Sequence, residues 1–165
     1  MRLLLIRHGE AGDPDPTRYP DDRLRPLTPA GEREHAAVAG ALGRLDLRVA
    51  HILSSPLTRA RQTAEITARA LGVADVTIVD ALGDRFSRDG LLQALGALPS
   101  TTGVACVGHE PGISQFATTL LNADGGLRLS FAKSAVMALE CQGPPAPASA
   151  RLLFFWSPSE LLRFV

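Results

Sequence analysis

Across its 165 residues the chain carries 45% hydrophobic positions and balances 17 basic against 17 acidic residues, for a formal net charge of zero. That composition fits one compact domain spanning 1–165 and excludes both a disordered chain and a general nucleic-acid binder with a basic footprint. The longest apolar runs, at 3–6 and 152–156, fall far short of the roughly 20 residues of a membrane span, and the N-terminus lacks a secretory signal pattern, so a cytoplasmic protein without a membrane partner is expected.

Residues 3–6 form an apolar run that ends at Arg7, His8 and Gly9, the pattern of a fully buried strand with His8 at its C-terminal end. From 10 to 27 prolines and aspartates dominate, which predicts a long loop and a candidate lid. Thr28 and Pro29 read as an N-cap and first helical residue, followed by an amphipathic stripe at Val38, Ala41, Leu42 and Leu45. A second strand is predicted over 49–53, then a helix after Pro56 on which Arg59 and Arg61 lie about 200° apart, so that only one faces a given pocket. Strands at 76–79 and 104–107 flank a short helix over 91–98, and the second of them stops at Gly108 and His109. A helix opens at Pro111 and Gly112. Strands at 136–140 and 152–156 are joined by a proline-rich turn. No repeat or interior linker divides the chain. Strand and helix thus alternate, which predicts an α/β fold of three layers: a mostly parallel central sheet with helices on both faces, and ligands at the carboxyl ends of the strands.

Several chemistries are excluded. Lys133 is the only lysine and lies in no phosphate-binding G-x-x-x-x-G-K-[ST] loop. There is no G-x-S-x-G elbow, and His109-Glu110 is not followed by the P-C-x-x-C of zinc deaminases. Cys106 and Cys141 sit in apolar surroundings without metal-site spacing, so they are expected as buried free thiols, and no metal is expected.

What remains is a constellation. His8 and His109 each follow a strand directly and belong at the same sheet edge. Arg7 adjoins the first, and Arg59 starts the helix after the second strand, where the positive helix terminus adds to its charge. Cationic groups gathered in this way repel one another unless an anion lies between them, and the planar guanidinium suits phosphate oxygens.

The residues that carry this chemistry also carry a resemblance. Leu5-Ile6-Arg7-His8-Gly9-Glu10 resembles the R-H-G signature of the histidine phosphatase superfamily, which has the phosphoglycerate-mutase-like fold. Leu27-Thr28-Pro29-x-Gly31 is similar to its L-T-x-x-G helix start, Ser55-Pro56-Leu57-x-Arg59-Ala60-x-x-Thr63 to its second-arginine motif, and Val107-Gly108-His109 to its second-histidine strand end. Arg25-Pro26-Leu27-Thr28, Gly108-His109-Glu110-Pro111 and the Ser134-Ala135 pair further resemble the small bacterial SixA-type phosphohistidine phosphatases.

The resemblance implies that His8 is the nucleophile, that Arg7, Arg59 and His109 bind the phosphoryl oxygens, and that no cofactor is required. Arg25 and Ser134 are further candidates for the pocket rim. His35, inside the first helix, reads as a structural histidine, and Arg44, Arg48 and Arg61 as solvated surface charges. Larger members of the superfamily use a carboxylic acid after the third strand as proton donor; here Asp80, Asp84 and Glu110 are the candidates. A phosphorylated imidazole leaves as a nitrogen base that is readily protonated, whereas an alkyl alcohol needs a donated proton, so an unplaced acid favours an N-phosphate substrate. The leading expectation is a phosphatase acting on a phosphohistidine of a protein partner. The alternatives are a phosphomonoesterase for small phosphorylated metabolites and a phosphate-binding module without catalysis. A mutase calls for more enclosing structure than this length supplies.

Overall fold

The computed structural model describes residues 1–121 and 127–164. Among these residues the order is β1 (Arg2–Arg7), α1 (Pro29–Gly43), β2 (Val49–Ser54), α2 (Thr58–Leu71), β3 (Val76–Ile78), α3 (Arg88–Gly96), β4 (Gly103–Gly108), α4 (Gly112–Leu120), β5 (Val136–Cys141), β6 (Ala150–Trp156) and α5 (Pro158–Phe164), with 3-10 turns at Asp22–Leu24 and Asp80–Leu82. The strands form one sheet in the order β3-β2-β4-β1-β5-β6. β1, β2, β3 and β4 pair in parallel, while β5 runs antiparallel to both β1 and β6. The mostly parallel sheet is as expected, and its exception is the hairpin closed by the proline-rich turn.

Side chains alternate across a strand, and β1 divides accordingly. Leu3 and Leu5 join Leu91, Leu95, Ile113 and Phe116 of α3 and α4 on one face of the sheet. Leu4 and Ile6 join Val38, Leu42, Ala60 and Leu161 of α1, α2 and α5 on the other. All four β1 leucine and isoleucine side chains are fully buried, which explains why the segment reads as an uninterrupted apolar run rather than an alternating one.

Local signals set the helix ends. Thr28 Oγ1 accepts the Gly31 N–H at 3.0 Å, and Pro29 opens α1. Gly31 packs against the Glu10 backbone so closely that a Cβ there would lie 2.9 Å from the Glu10 N and C atoms, so the position admits no side chain. This contact seats the start of α1 against the segment leaving β1. α2 ends on Gly72 in the left-handed region, φ 69°. The seven-residue α5 escaped the periodicity reading, although Ser157-Pro158-Ser159-Glu160 forms a capping box: Glu160 Oε2 accepts the Ser157 N–H at 2.7 Å. Among the described residues no helix is long and apolar enough to cross a membrane.

Candidate active site

Sheet register creates the site. Arg7 pairs with Gly108 across β1 and β4, and the next residue, His8, donates its backbone N–H to the Gly108 carbonyl at 3.1 Å. The two histidines that follow these strands therefore emerge side by side, with ring centroids 4.9 Å apart. β2 ends alongside β4, where Ser55 N–H bonds the Val107 carbonyl. That places Ser55 Oγ 2.8 Å from His109 Nε2. Arg59 follows on the first turn of α2 and is buried, whereas Arg61, on the other side of the helix, is exposed.

His8 Nδ1 lies 2.7 Å from the Gly9 carbonyl oxygen. A carbonyl only accepts, so Nδ1 carries the proton and Nε2 keeps its lone pair, the form a nucleophile requires. Burial, then the charge of His109, lowers the His8 pKa to about 3. Burial and the Arg59 charge lower that of His109 to about 4. Both imidazoles are thus neutral at neutral pH.

The arginines are held from behind. Arg7 Nη1 donates to the Phe131 carbonyl at 2.6 Å. Arg59 Nη1 donates to the Asp22 carbonyl at 2.9 Å and meets the Asp22 carboxylate at 3.3 Å. The Nε of each is buried with no hydrogen-bond partner among the described residues. A buried guanidinium N–H without an acceptor is costly. Two of them beside a pair of neutral imidazoles fit a tetrahedral oxyanion. Among the described residues no group of three or more His, Cys, Asp or Glu could hold a metal ion.

The remaining candidates fall elsewhere. Arg25 is buried within the 10–27 loop rather than on the rim: Nε donates to Asp22 at 2.7 Å, and Nη1 donates to the carbonyls of Ala11 and Gly12. It braces the loop that carries Asp22 onto Arg59. The Arg25 hydrogen bond, with the charges of Arg59 and Arg25, holds the Asp22 carboxyl below its usual range. Ser134 is fully buried beneath His8, not at the rim, and its hydroxyl lies 3.1 Å from His35 Nδ1. Glu110 has both carboxylate oxygens occupied, by Ser114 Oγ at 2.6 Å and the Phe131 N–H at 2.5 Å, and so fastens the segment whose carbonyl holds Arg7. Asp80 and Asp84 line a groove of about 500 Å³ with Arg23, Pro56 and Arg85, and neither histidine is part of its lining. Of the three acids, Asp84 is the one whose charge acts on both His109 and Arg59.

Sequence reasoning passed over Ser55, Thr63 and Asp22 as site residues. The first two stood inside the second-arginine motif; Asp22 was one acid among several in a loop without periodicity.

A family model for the histidine phosphatase superfamily (branch 1) matches residues 3–89, which include Arg7, His8 and Arg59. The chain belongs to this superfamily. This histidine-dependent phosphatase is 36% identical over 142 residues to an uncharacterised protein of Picosynechococcus sp. (strain ATCC 27264 / PCC 7002 / PR-6), covering 84% of each. Its fold is similar to that of the protein histidine phosphatase SixA solved with tungstate, with a TM-score of 0.84 at 23% identity over 98% of this chain and 99% of that one. It is also similar to a mycobacterial glucosyl-3-phosphoglycerate phosphatase, with a TM-score of 0.69 at 17% identity over 94% and 98%.

The buried imidazoles of this phosphatase make its stability acid-sensitive. His35, fully buried, is lowered by burial to about 4, alongside His8 and His109. Unfolded imidazoles take up protons below about pH 6.5, so throughout the window down to about pH 4 the unfolded state binds more protons, and stability falls with pH. Each unit of acidification costs on the order of 1.4 kcal/mol per histidine. Urea midpoints should drop between about pH 7 and about pH 5, and His35→Gln should flatten the decline. Equal midpoints at the two pH values would refute the burial of neutral imidazoles.

Proposed function

We propose that this histidine phosphatase removes the phosphoryl group from a phosphohistidine of a protein partner through a phosphorylated His8. The observation that carries this reading is the pairing of His8, its Nε2 unprotonated, with His109 between two arginines, in a site where no carboxyl group among the described residues is hydrogen-bonded to either imidazole. His8 Nε2 attacks phosphorus in line as the bond to the leaving nitrogen breaks, and the departing imidazole nitrogen takes up a proton. Water then attacks the phosphoenzyme, forming inorganic phosphate and restoring His8. Arg7 and Arg59 meet the charge that spreads over the equatorial oxygens. A bound phosphoryl dianion favours the cationic form of His109, which then adds a third donor. Residues 13–24 are largely exposed, with Leu24 at 64%.

The groove that holds Asp80 and Asp84 supports a second reading, hydrolysis of small phosphate esters, with Asp84 protonating the leaving alkoxide. The two readings part on substrate chemistry. On a histidine-phosphorylated protein domain, kcat/KM should exceed that on phenyl phosphate or a sugar phosphate, and Asp84→Asn should slow only the ester, by roughly 10²-fold if Asp84 is its general acid. Selective turnover of esters overturns the phosphohistidine reading.

A further inference from the structure

A line of buried polar side chains runs beneath His8, and its donors and acceptors can be assigned from end to end. Thr67 Oγ1 lies 2.9 Å from the Thr63 carbonyl, which only accepts, so the Thr67 hydroxyl proton is spent there. Thr67 Oγ1 must then accept from His35 Nε2, 2.9 Å away. His35, neutral and protonated on Nε2, has a bare Nδ1, and this nitrogen takes the Ser134 hydroxyl proton at 3.1 Å. The same logic applies at Thr63. Its hydroxyl donates to the Arg59 carbonyl at 2.7 Å and therefore accepts the Gly9 N–H at 3.0 Å.

Both ends of this network grip one peptide unit. Ser134, held at φ 59°, aims its backbone N–H at the carbonyls of Arg7 and His8, 3.2 Å from each. Thr63 takes the Gly9 N–H. The His8–Gly9 peptide is thus fastened at its C=O by Ser134 and at its N–H by Thr63. The next carbonyl, that of Gly9, is the acceptor that keeps the proton on His8 Nδ1. A non-glycine residue in the left-handed region persists only where its surroundings hold it. His35, Thr63, Thr67 and Ser134 are all fully buried, where an unsatisfied hydroxyl or imidazole would be costly.

We propose that His35, Thr67, Thr63 and Ser134 form a positioning network that orients the His8–Gly9 peptide and so fixes His8 as the tautomer with a bare Nε2. None of the four touches the phosphoryl group; they act through the backbone. The catalytic consequence rests on His8 being the nucleophile, but the tautomer itself does not. Outer partners that fix the tautomer of a metal-bound histidine typically contribute about 10–100-fold, and a loss of the same order is expected for a nucleophilic imidazole.

The experiment records ¹⁵N spectra of histidine-labelled resting protein, together with the rapid-quench rate of His8 phosphorylation and the inhibition constant of inorganic phosphate. In the parent protein, Nδ1 of His8 carries the proton. Thr63→Val and His35→Leu are expected to mix the two His8 tautomers and to slow phosphoenzyme formation by about 10–100-fold, while phosphate inhibition changes little. Thr63→Ser, which keeps the hydroxyl, should restore a single tautomer. Should His35→Leu fail to fold, Ser134→Ala and Thr63→Val carry the test. A single unchanged tautomer and parental rates in folded Thr63→Val and Ser134→Ala proteins would overturn the proposal. If the parent forms no phosphorylated His8 yet the variants still scramble its tautomer, the network stands and the nucleophile assignment fails.

Discussion

His8→Ala is expected to abolish the phosphoenzyme and to lower kcat by on the order of 10⁶-fold. The size of the effect follows from what the side chain alone supplies. His8 Nε2 is an unprotonated nitrogen in a buried site, its other nitrogen committed to the Gly9 carbonyl. Without it, water would have to attack phosphorus directly, and the two-step path closes. Loss of a nucleophile in an otherwise intact site costs a hydrolase about this much, and what remains comes from the fixed donors. Arg7, Arg59 and His109 stay in place in the variant, so phosphate should still bind. Rapid-quench mass spectrometry should find phosphorylated His8 in the parent and no protein-bound phosphoryl group in the variant. A phosphorylated variant, or a loss below about 10²-fold, would remove His8 from the mechanism.

Arg59→Ala should cost about 10³-fold in kcat/KM, with Arg59→Lys recovering only part. A guanidinium that meets a transferring phosphoryl group contributes on the order of 10³–10⁵ in rate, and removal of a single fixed donor costs about 10²–10³. Arg59 has a further task. Its Nη1 receives the 10–27 loop through the Asp22 carbonyl and carboxylate, while its Nε lies buried without a partner. The planar guanidinium holds the loop through Nη1 while keeping further N–H donors in a fixed fork, a geometry that a lysine ammonium cannot reproduce. Inorganic phosphate should inhibit both variants more weakly than the parent. A kcat/KM within tenfold of the parent in Arg59→Ala would show that Arg7 and His109 suffice.

The strand run that ends in Arg7-His8-Gly9 and the strand that ends in Gly108-His109 could be read residue by residue, because a buried parallel strand leaves an uninterrupted apolar signature and its end is punctuated by glycine. Helical geometry showed only that one of Arg59 and Arg61 could face a pocket; the position of Arg59 at the helix start and its place in the second-arginine motif made the choice. Other assignments could not be made in this way. Arg25 and Ser134 carry groups that suit a phosphate, yet their partners lie far off in sequence or inside an irregular loop: Arg25 meets Ala11 and Gly12, and Ser134 meets His35, which is 99 residues away. Glu110 follows His109 directly, but its oxygens are taken by Ser114 and Phe131. Chemical suitability is written in the side chain, whereas the competing acceptor that claims it is supplied by the fold.

By itself, the amino-acid order determined the alternating architecture, the two histidines at strand ends and the superfamily, since each depends on local periodicity or on short motifs. Tertiary structure alone decided that Arg7 pairs with Gly108, that Asp22 grips Arg59, and that a buried histidine in α1 holds the turn beneath His8. These are contacts between segments tens of residues apart. They form only when strand register and helix packing bring their polar groups within about 3 Å of one another, a distance at which a buried donor must find its acceptor.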